Sequence, residues 1–332
     1  MVFTLFLLML WDSTPHQDEK YTHQTKLSSV TEEEFIENTV PWVATWKDRA
    51  IQLFFFIVFF GWLRFLLLLM ITILYVIIML PVILFCNSPK ICKYTVGPGI
   101  VITRIYFRFL FFFLGCFIIK KKGKLDPNAR CIIYNHNTLI DGLLIYMYQP
   151  FKVIVLDKEK HVPIIGQILT SCGSVFVDRS KHGGLSKVIT EYLSEKRDMP
   201  LSIAPEGRTN KGFFMLSFRT GAFIADAPIQ PVTLRYRNFL PFGRTGIIWT
   251  YAQPLEWLIR VFSMPFCIVE MDFLPVVQGP EFYEKSPADK ALYCNLLMAN
   301  NLGVKASDRS TRYYYHDKNA KSQPQPQQPQ TN

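Results

Sequence analysis

The sequence lacks the paired cysteines that would build a metal site or a disulfide framework. Its seven cysteines are scattered, none forms a C-x-x-C pair, and none has acidic or histidine companions at ligand spacing. This pattern indicates reduced thiols in a protein that faces the cytosol, and we expect no metal site. The D-x-D-x-D-G pattern of a calcium-binding loop is also absent, so calcium control by such a loop is not expected. No G-x-S-x-G elbow marks a serine hydrolase.

Acidic residues are too few to balance the basic ones, since 36 lysines and arginines face 26 aspartates and glutamates and leave a net charge of +10. Such an excess suggests an anionic partner, which would be nucleic acid, anionic lipid headgroups or a phosphorylated substrate. The absence of a nucleic-acid-binding motif favours the last two. Half of the residues are hydrophobic, including 28 phenylalanines, and this composition is too apolar for a soluble enzyme.

The first 46 residues are predicted to form a separate, partly disordered N-terminal segment. Val2 to Trp11 is an apolar run that is too short to span a bilayer and has neither a basic flank nor a small-residue cleavage site. We interpret it as an interfacial or buried anchor. Asp12 to Glu37 is polar and contains an acidic run, which predicts a mobile segment.

Ile51 to Cys86 is an almost unbroken apolar stretch and the strongest physical signal in the chain. One straight helix of this length would overshoot a hydrocarbon core of ~30 Å, which ~20 residues suffice to cross. Two arrangements remain open, a tilted span over roughly Phe65 to Phe85 or a re-entrant pair of half-spans hinged around Gly61 to Arg64. An arginine at mid-depth is costly, so in the re-entrant arrangement Arg64 must reach the interface or find a partner.

A second apolar run, Ile105 to Ile119, is shorter and contains Arg108, which fits a helix that lies in the interface or lines the protein. Lysines precede and follow this run, at positions 90, 93, 120, 121, 122 and 124. The positive-inside tendency places the domain that follows on the cytosolic side, and these lysines would also attract anionic headgroups. We predict membrane-anchoring helices over residues 47–122, and basic residues at both ends of the first run slightly favour the re-entrant arrangement.

After Gly123, short apolar runs alternate with amphipathic helices, which is typical of an α/β domain, here predicted over residues 123–315. Cys131 to Tyr134 is predicted to be a buried strand, followed by a polar break and by apolar residues at helical spacing. His136 therefore lies where a strand ends and a helix begins, a common place for a catalytic side chain. Asp141 follows about one helical turn later, close enough to bind one imidazole nitrogen and leave the other as a base.

A second group of candidate residues surrounds the predicted strand that ends before Arg179. Gly173, Phe176 and Arg179 follow one another at intervals of three residues. Arginine suits phosphate binding because its planar guanidinium donates two parallel hydrogen bonds. An isolated arginine at a strand end is more often a solvated or ion-paired residue. The functional interpretation of this spacing therefore depends on the residues that follow.

Two further strands complete the pattern. Leu201 to Pro205 is predicted to be a buried strand that runs directly into Glu206, Gly207 and Arg208. Pro231 lies within the predicted strand Ile229 to Tyr236.

These four groups of residues, in this order, resemble the four signature blocks of the glycerolipid acyltransferases, the family that includes lysophosphatidate and lysophosphatidylcholine acyltransferases. The resemblance covers residues 27–315. It is closest to the lysophosphatidylcholine branch over Arg219 to Tyr236, Thr250 to Pro254 and Asp272 to Pro275. The third block departs from the family pattern, because Arg208 follows the glycine directly and threonine comes next, which leaves the role of Arg208 open.

The resemblance implies an α/β fold with a mixed β-sheet flanked by helices and preceded by N-terminal membrane helices. It also implies an O-acyltransferase that needs no cofactor and uses acyl-CoA as a co-substrate. His136 would act as general base on the sn-2 hydroxyl of a lysophospholipid, with Asp141 orienting it. The other implied substrate-binding residues are Gly173, Phe176, Arg179, Glu206, Gly207, Arg208 and Pro231, with the arginines on the phosphate and the proline against the acyl chain.

Two alternatives stay open from the sequence. The acceptor would be lysophosphatidate instead of lysophosphatidylcholine, or the chain would be a catalytically silent membrane adaptor of the same fold. The intact set His136, Asp141, Arg179 and Glu206 argues against the silent adaptor. The expected location is the endoplasmic reticulum membrane, with the catalytic domain facing the cytosol, and the lipid droplet surface is a second possibility. The expected partners are the bilayer, a lysophospholipid and acyl-CoA, with no nucleic acid. Residues 316–332 are a glutamine- and proline-rich tail that is predicted to be disordered.

Overall fold

The computed structural model describes residues 19–40, 44–85, 89–162, 166, 169–170, 174–177, 184–238, 246–249 and 254–311. In this part of the chain a mixed sheet carries helices on both faces, and long helices precede it, which confirms the predicted fold class. The helices are α1 (Glu32–Thr39), α2 (Trp46–Val58), α3 (Gly61–Phe85), α4 (Pro89–Phe113), α5 (Asp141–Tyr148), α6 (Gly184–Ser194), α7 (Pro254–Ser263), α8 (Pro280–Tyr283) and α9 (Pro287–Leu302). The strands are β1 (Ile118–Lys122), β2 (Cys131–Tyr134), β3 (Lys152–Leu156), β4 (Val175–Val177), β5 (Leu201–Ile203), β6 (Phe214–Met215), β7 (Ile229–Asn238), β8 (Cys267–Phe273) and β9 (Lys305–Ala306).

Seven strands form the main sheet in the order β1-β8-β7-β2-β5-β3-β4. Neighbouring strands are parallel except for β7 and β8, which are antiparallel. The strands β7, β2, β5, β3 and β4 therefore point the same way, and their carboxyl ends meet at one edge of the sheet. In open α/β sheets this edge is where ligands bind. The remaining strands, β6 and β9, pair in a small parallel sheet of their own.

The central strand β2 is buried on both faces, which explains why its sequence is continuously apolar. Ile132 and Tyr134 face one core, which also contains side chains of α2, α4, α5 and α7. Cys131 and Ile133 face the opposite core, with side chains of α6 and α9. Successive side chains of a strand point to opposite faces, so one short strand supports both layers of helices.

Part of the N-terminal segment that was expected to be mobile has a defined structure. Helix α1 begins with a capping box in which Thr31 and Glu34 bind each other's backbone N–H groups. Gln24 bonds to Asn300 and to the Val304 carbonyl, and the buried Asn38 accepts a hydrogen bond from the backbone N–H of Phe213 at 3.0 Å. Residues 19–37 are thus held by distant partners that composition cannot reveal. The predicted anchor Val2 to Trp11 lies outside the described residues.

The first apolar stretch is broken between α2 and α3, at Phe59 and Phe60, where Phe60 has a left-handed φ of 53°. Gly61 follows at once and packs so closely on the Phe262 carbonyl that any side chain would clash with it. Arg64 donates hydrogen bonds to the carbonyls of Phe262, at 2.7 Å, and Met264, at 2.6 Å, at the C-terminal end of α7. The arginine thus has the partner that the re-entrant arrangement required.

Helices α3 and α4 form an antiparallel hairpin. The rings of Tyr75 and Tyr106 stack with centroids 4.2 Å apart, and their hydroxyl groups lie 3.0 Å from Thr103 and Thr72 respectively. The partner of α3 is therefore α4, whereas the re-entrant arrangement considered above pairs two halves of Ile51 to Cys86. Among the described helices, one is long and apolar enough to cross a membrane, over Gly61–Pro81. Only 11% of its most apolar stretch of 18 residues is buried within the protein.

The second apolar run is divided between two elements. Residues up to Phe113 complete α4, and Ile118 and Ile119 open β1, which pairs with β8. Lys120 and Lys122 on this strand approach Glu270 and Asp272 on β8 at 3.8 Å and 3.9 Å. The sheet therefore begins at residue 118, before the boundary predicted at residue 123.

Candidate active site

His136 lies in the loop that follows β2, at the carboxyl edge of the sheet. The preceding Asn135 extends the pairing between β2 and β7, because its side chain accepts a hydrogen bond from the backbone N–H of Leu234 and donates one to the Leu234 carbonyl. The His136 carbonyl accepts from the backbone N–H of Asn210 at 3.0 Å. These bonds hold the backbone on both sides of the imidazole, which is itself 24% exposed.

Asp141 is fully buried at the start of α5 and contacts His136 directly. Its Oδ2 lies 2.9 Å from His136 Nδ1. The same oxygen accepts hydrogen bonds from the backbone N–H groups of Asn137, at 2.7 Å, and Thr138, at 2.9 Å. A carboxylate held in this way binds the Nδ1 side of the ring, which leaves Nε2 as the nitrogen able to take a proton from a bound molecule.

The second oxygen of Asp141 is held by a residue that sequence reasoning missed. Tyr236, near the end of β7, donates its hydroxyl hydrogen to Asp141 Oδ1 at 2.6 Å and is 3% exposed. Burial, and next the nearby Asp141 charge, raise the pKa of Tyr236 well above 10, so the hydroxyl stays protonated. The two residues are far apart in sequence, and no local pattern connects them.

Glu206 supports the His136 loop instead of facing open solvent. Its Oε1 accepts from the backbone N–H of His136 at 2.9 Å, and its Oε2 accepts from the Asn210 side chain at 2.7 Å and the Leu216 backbone at 3.1 Å. The side chain is 1% exposed. Both oxygens are thus engaged with groups of the protein. The role in a phosphate pocket that the family resemblance implies for Glu206 stays a prediction.

Burial sets the protonation of Glu206. It raises the pKa of the carboxyl group to about 7, although the backbone donors and the nearby His136 oppose the increase. The group is therefore close to half-protonated at neutral pH.

Gly207 and Arg208 serve opposite sides of the loop after β5. Gly207 has a φ of +72°, and a Cβ there would lie 2.5 Å from Arg219 Nε, so only glycine lets the Arg219 side chain pack on this backbone. Arg219 in turn donates to the Thr311 hydroxyl at 2.7 Å. Arg208 is buried, and its Nη2 lies 3.5 Å from the Thr39 carbonyl at the end of α1. Its side chain thus points to the N-terminal segment.

Two of the remaining predicted residues lie in strands of the sheet. Phe176 is half-buried in β4, the edge strand of the sheet. Pro231 is buried in β7 beside Ile133 of β2, several residues before the carboxyl edge. Gly173 and Arg179 lie outside the described residues.

A cleft adjoins the loop that carries His136. Its lining includes three buried asparagines, Asn135, Asn137 and Asn210, and apolar residues such as Phe214, Leu234 and Leu302. Lys211 and Arg235 add positive charge to the lining. Among the residues that the structure describes, no three His, Cys, Asp or Glu side chains converge as metal ligands would.

A buried arginine fixes the wall beside this loop. Arg260 in α7 is fully buried and donates to the carbonyls of Gly246 and Ile248. The next residue, Trp249, donates its backbone N–H to the Asn137 carbonyl at 2.9 Å. The sequence carries a weak signal for this residue, since Arg260 lies among the apolar positions of α7.

The chain is similar to known acyltransferases. Residues 118–235 match the family model Acyltransferase. Human lysophosphatidylcholine acyltransferase 2 is 29% identical over 241 residues, which cover 68% of this chain and 43% of that protein. Human lysophosphatidylcholine acyltransferase 1 is 31% identical over 197 residues, which cover 57% of this chain and 36% of that protein. The chain thus spans less than half the length of the curated relatives it matches.

A solved structure shares the fold. The crystal structure of the 1-acyl-sn-glycerophosphate acyltransferase of Thermotoga maritima aligns with a TM-score of 0.51 and 16% sequence identity, over 73% of this chain and 95% of that one. At this identity the alignment shows the common architecture of sheet and helices.

Proposed function

We propose that this chain, which contains an acyltransferase domain over residues 118–235, is a lysophospholipid acyltransferase that uses acyl-CoA as its acyl donor. The observation that carries the proposal is the His136–Asp141 pair, 2.9 Å apart at the carboxyl edge of the sheet, with Nε2 left for substrate. The relatives named lysophosphatidylcholine acyltransferases support a lysophospholipid acceptor.

The reaction transfers the acyl group directly from sulfur to oxygen. His136 Nε2 takes the proton of the sn-2 hydroxyl while that oxygen bonds to the thioester carbonyl carbon. The tetrahedral intermediate then loses its C–S bond, and the proton held on Nε2 passes to the departing sulfur of coenzyme A. Asp141 stabilises the imidazolium that forms between the two steps, as a buried carboxylate does in hydrolase triads. No acyl-enzyme is formed.

Substrate positioning is assigned to different residues with different roles. Arg179 is proposed to bind the phosphate through two hydrogen bonds. Arg208 suits this role less well, because its side chain points to Thr39. Glu206 is proposed to act through the backbone of His136, whose N–H it binds. Gly207 allows Arg219 to approach the same loop.

We propose that the enzyme is bound to a membrane, and the surface of α2 and α7 supports this location. Helix α2 turns Leu53, Phe54 and Ile57 outward at 50% exposure or more, while Gln52 of the same helix is buried. Helix α7 likewise exposes Leu255 at 69% and buries Arg260 completely. An apolar face turned outward over buried polar groups is stable against hydrocarbon and costly against water. The surface is continuous with α3, the helix able to cross a membrane.

The hairpin geometry supports one orientation of the chain. Gly61, at the start of α3, packs on α7, and Arg104 in α4 bonds to the carbonyls of Met147 and Tyr148 at the end of α5. Both ends of the hairpin thus return to the domain that carries His136. We propose that the domain that carries His136 lies on the cytosolic face of the endoplasmic reticulum membrane. A tag before Met1 is then accessible to protease in sealed microsomes, whereas a protected tag would contradict this orientation.

Purified protein tests the proposed function directly. Radiolabelled acyl-CoA is supplied with three lysophospholipids that share one acyl chain, lysophosphatidylcholine, lysophosphatidylethanolamine and lysophosphatidate, and separately with glycerol 3-phosphate, which carries no acyl chain. We expect label in the diacyl product, with lysophosphatidylcholine among the best acceptors. Label confined to phosphatidic acid would move the assignment to lysophosphatidate. Absence of transfer to every acceptor would favour a catalytically silent protein.

A further inference from the structure

Tyr236 reaches the acid–histidine pair from a different part of the sheet. On β7, Val232 pairs with Tyr134, the last residue of β2, so β7 continues beyond β2 and places Tyr236 above the loop that carries His136. Val232, Leu234 and Tyr236 belong to one core, the one that also packs α5. The tyrosine ring is thus fixed by the sheet and not by the loop.

The hydrogen bonds of Asp141 are divided between its two oxygens. Oδ2 receives the His136 ring and the backbone N–H groups of Asn137 and Thr138, while Oδ1 receives the Tyr236 hydroxyl. Because the carboxylate is fully buried, an oxygen without a donor would carry a desolvation cost. Rotation of the carboxylate would be the simplest relief, and it would remove Oδ2 from His136.

We propose that Tyr236 is a positioning residue for acyl transfer, which holds Asp141 Oδ1 so that Oδ2 stays on His136 Nδ1. The inference rests on the proposed function, since it takes His136 as the base. Tyr236 acts on the reaction through Asp141, in the way that outer hydrogen-bond partners orient histidine ligands at metal sites. The Tyr236 hydroxyl serves only as a donor. Its burial and the nearby charge of Asp141 raise its pKa, and the group therefore stays protonated.

Tyr236→Phe tests the proposal because it keeps the ring and removes one hydrogen bond. We expect kcat to fall ~10- to 100-fold, by analogy with the outer hydrogen-bond partners that orient metal-bound histidines, with the KM values for acyl-CoA and lysolipid unchanged. Tyr192→Phe is the matched control. Tyr192 lies on α6, is also buried, and donates a hydrogen bond from its hydroxyl to the Met199 carbonyl at 2.7 Å. The Tyr192→Phe variant loses the same hydroxyl group at a position away from the site, and we expect its kcat to equal that of the unsubstituted protein.

A double-mutant cycle with Asp141→Ala separates positioning from a general structural role. If Tyr236 acts through Asp141, Tyr236→Phe has no further effect on the residual rate of Asp141→Ala. A fall of the same size in both backgrounds would overturn the proposal, as would a kcat of Tyr236→Phe equal to that of Tyr192→Phe. Failure of the function itself is distinguishable, because the unsubstituted protein would then transfer no acyl group.

Discussion

The carboxyl edge of the sheet and the surface of α2, α3 and α7 place polar groups in opposite ways. At the sheet edge, Asp141 and Glu206 are buried, and every one of their four carboxylate oxygens accepts at least one hydrogen bond. On the helical surface, the large exposed side chains are apolar, and Arg64 and Arg260 turn inward to carbonyl groups. The first arrangement costs desolvation and yields a rigid site, whereas the second avoids lipid contact with charge.

The sharpest way to break the first region is to remove the proposed base. His136→Ala is expected to lower kcat by ~10²- to 10⁴-fold, which is the usual contribution of a general base. His161→Ala is the matched control, because His161 is exposed in a short helical turn away from the loop. Thermal unfolding of both variants should match that of the unsubstituted protein. Retention of more than about a tenth of the rate by His136→Ala would exclude the base assignment.

The helical region is most sensitive at Arg64. Arg64→Ala removes donors from the carbonyls of Phe262 and Met264, and the loss of a partner for a buried polar group costs about 1 to 3 kcal/mol each. We expect the free energy of unfolding in detergent to fall by about 4 kcal/mol. The control is Arg49→Ala, which breaks a partly exposed ion pair with Glu256 and is expected to cost less than about 1 kcal/mol. Equal losses in the two variants would contradict this role of Arg64.

The cost of burying charge at the site is measurable through pH. The pKa of Glu206 is raised from 4.5 to about 7, so the folded protein binds this proton more tightly than the unfolded chain does. The resulting stabilisation is complete below about pH 4.5 and is lost as the pH rises through about 7.

Glu206→Gln removes this titration. We expect the stability of the unsubstituted protein, relative to Glu206→Gln, to fall between pH 4.5 and pH 8 by on the order of 3 kcal/mol. Unfolding in denaturant at several pH values checks this. A constant difference across the range would show that the carboxyl group is ionised throughout.

The smallest expected effect concerns the apolar surface. Ile57→Glu together with Leu255→Glu places charge on two side chains that are 57% and 69% exposed. We expect a rate about 10-fold lower on lysolipid embedded in vesicles, because a charge in the bilayer interface is unfavourable, and an unchanged rate on a monomeric short-chain lysolipid. Tyr293→Glu on α9, on the opposite side of the sheet, is the control. An unchanged rate on vesicles would show that this surface does not contact lipid.

Much of the local structure was predictable because it depends on neighbours in sequence. The strand β2 has the predicted bounds, and β7 extends the predicted strand by two residues. Asp141 lies within reach of His136 because only a short loop separates them in sequence. Burial on both faces leaves an apolar run in the sequence, and alternation or helical spacing then distinguishes the elements.

The rest depends on contacts between distant segments. Polar residues of the N-terminal segment, such as Gln24 and Asn38, have the composition of a mobile chain, yet they bond to residues about 175 to 280 positions away. The partner of α3 is α4, which contains two arginines that weaken its apolar pattern. The composition of a segment shows which polar groups it contains, but not which distant groups form hydrogen bonds with them.

The sequence by itself determined the α/β class, the presence of a long apolar helix and the placement of His136 and Asp141 at a strand end, because each follows from short-range periodicity and spacing. Only the tertiary structure decided which groups complete the site. It directs Glu206 to the His136 backbone, turns Arg208 to the N-terminal segment and brings Tyr236 to Asp141. Such contacts arise because parallel strands distant in sequence end at the same edge of one sheet, and no local pattern records which of their side chains will meet.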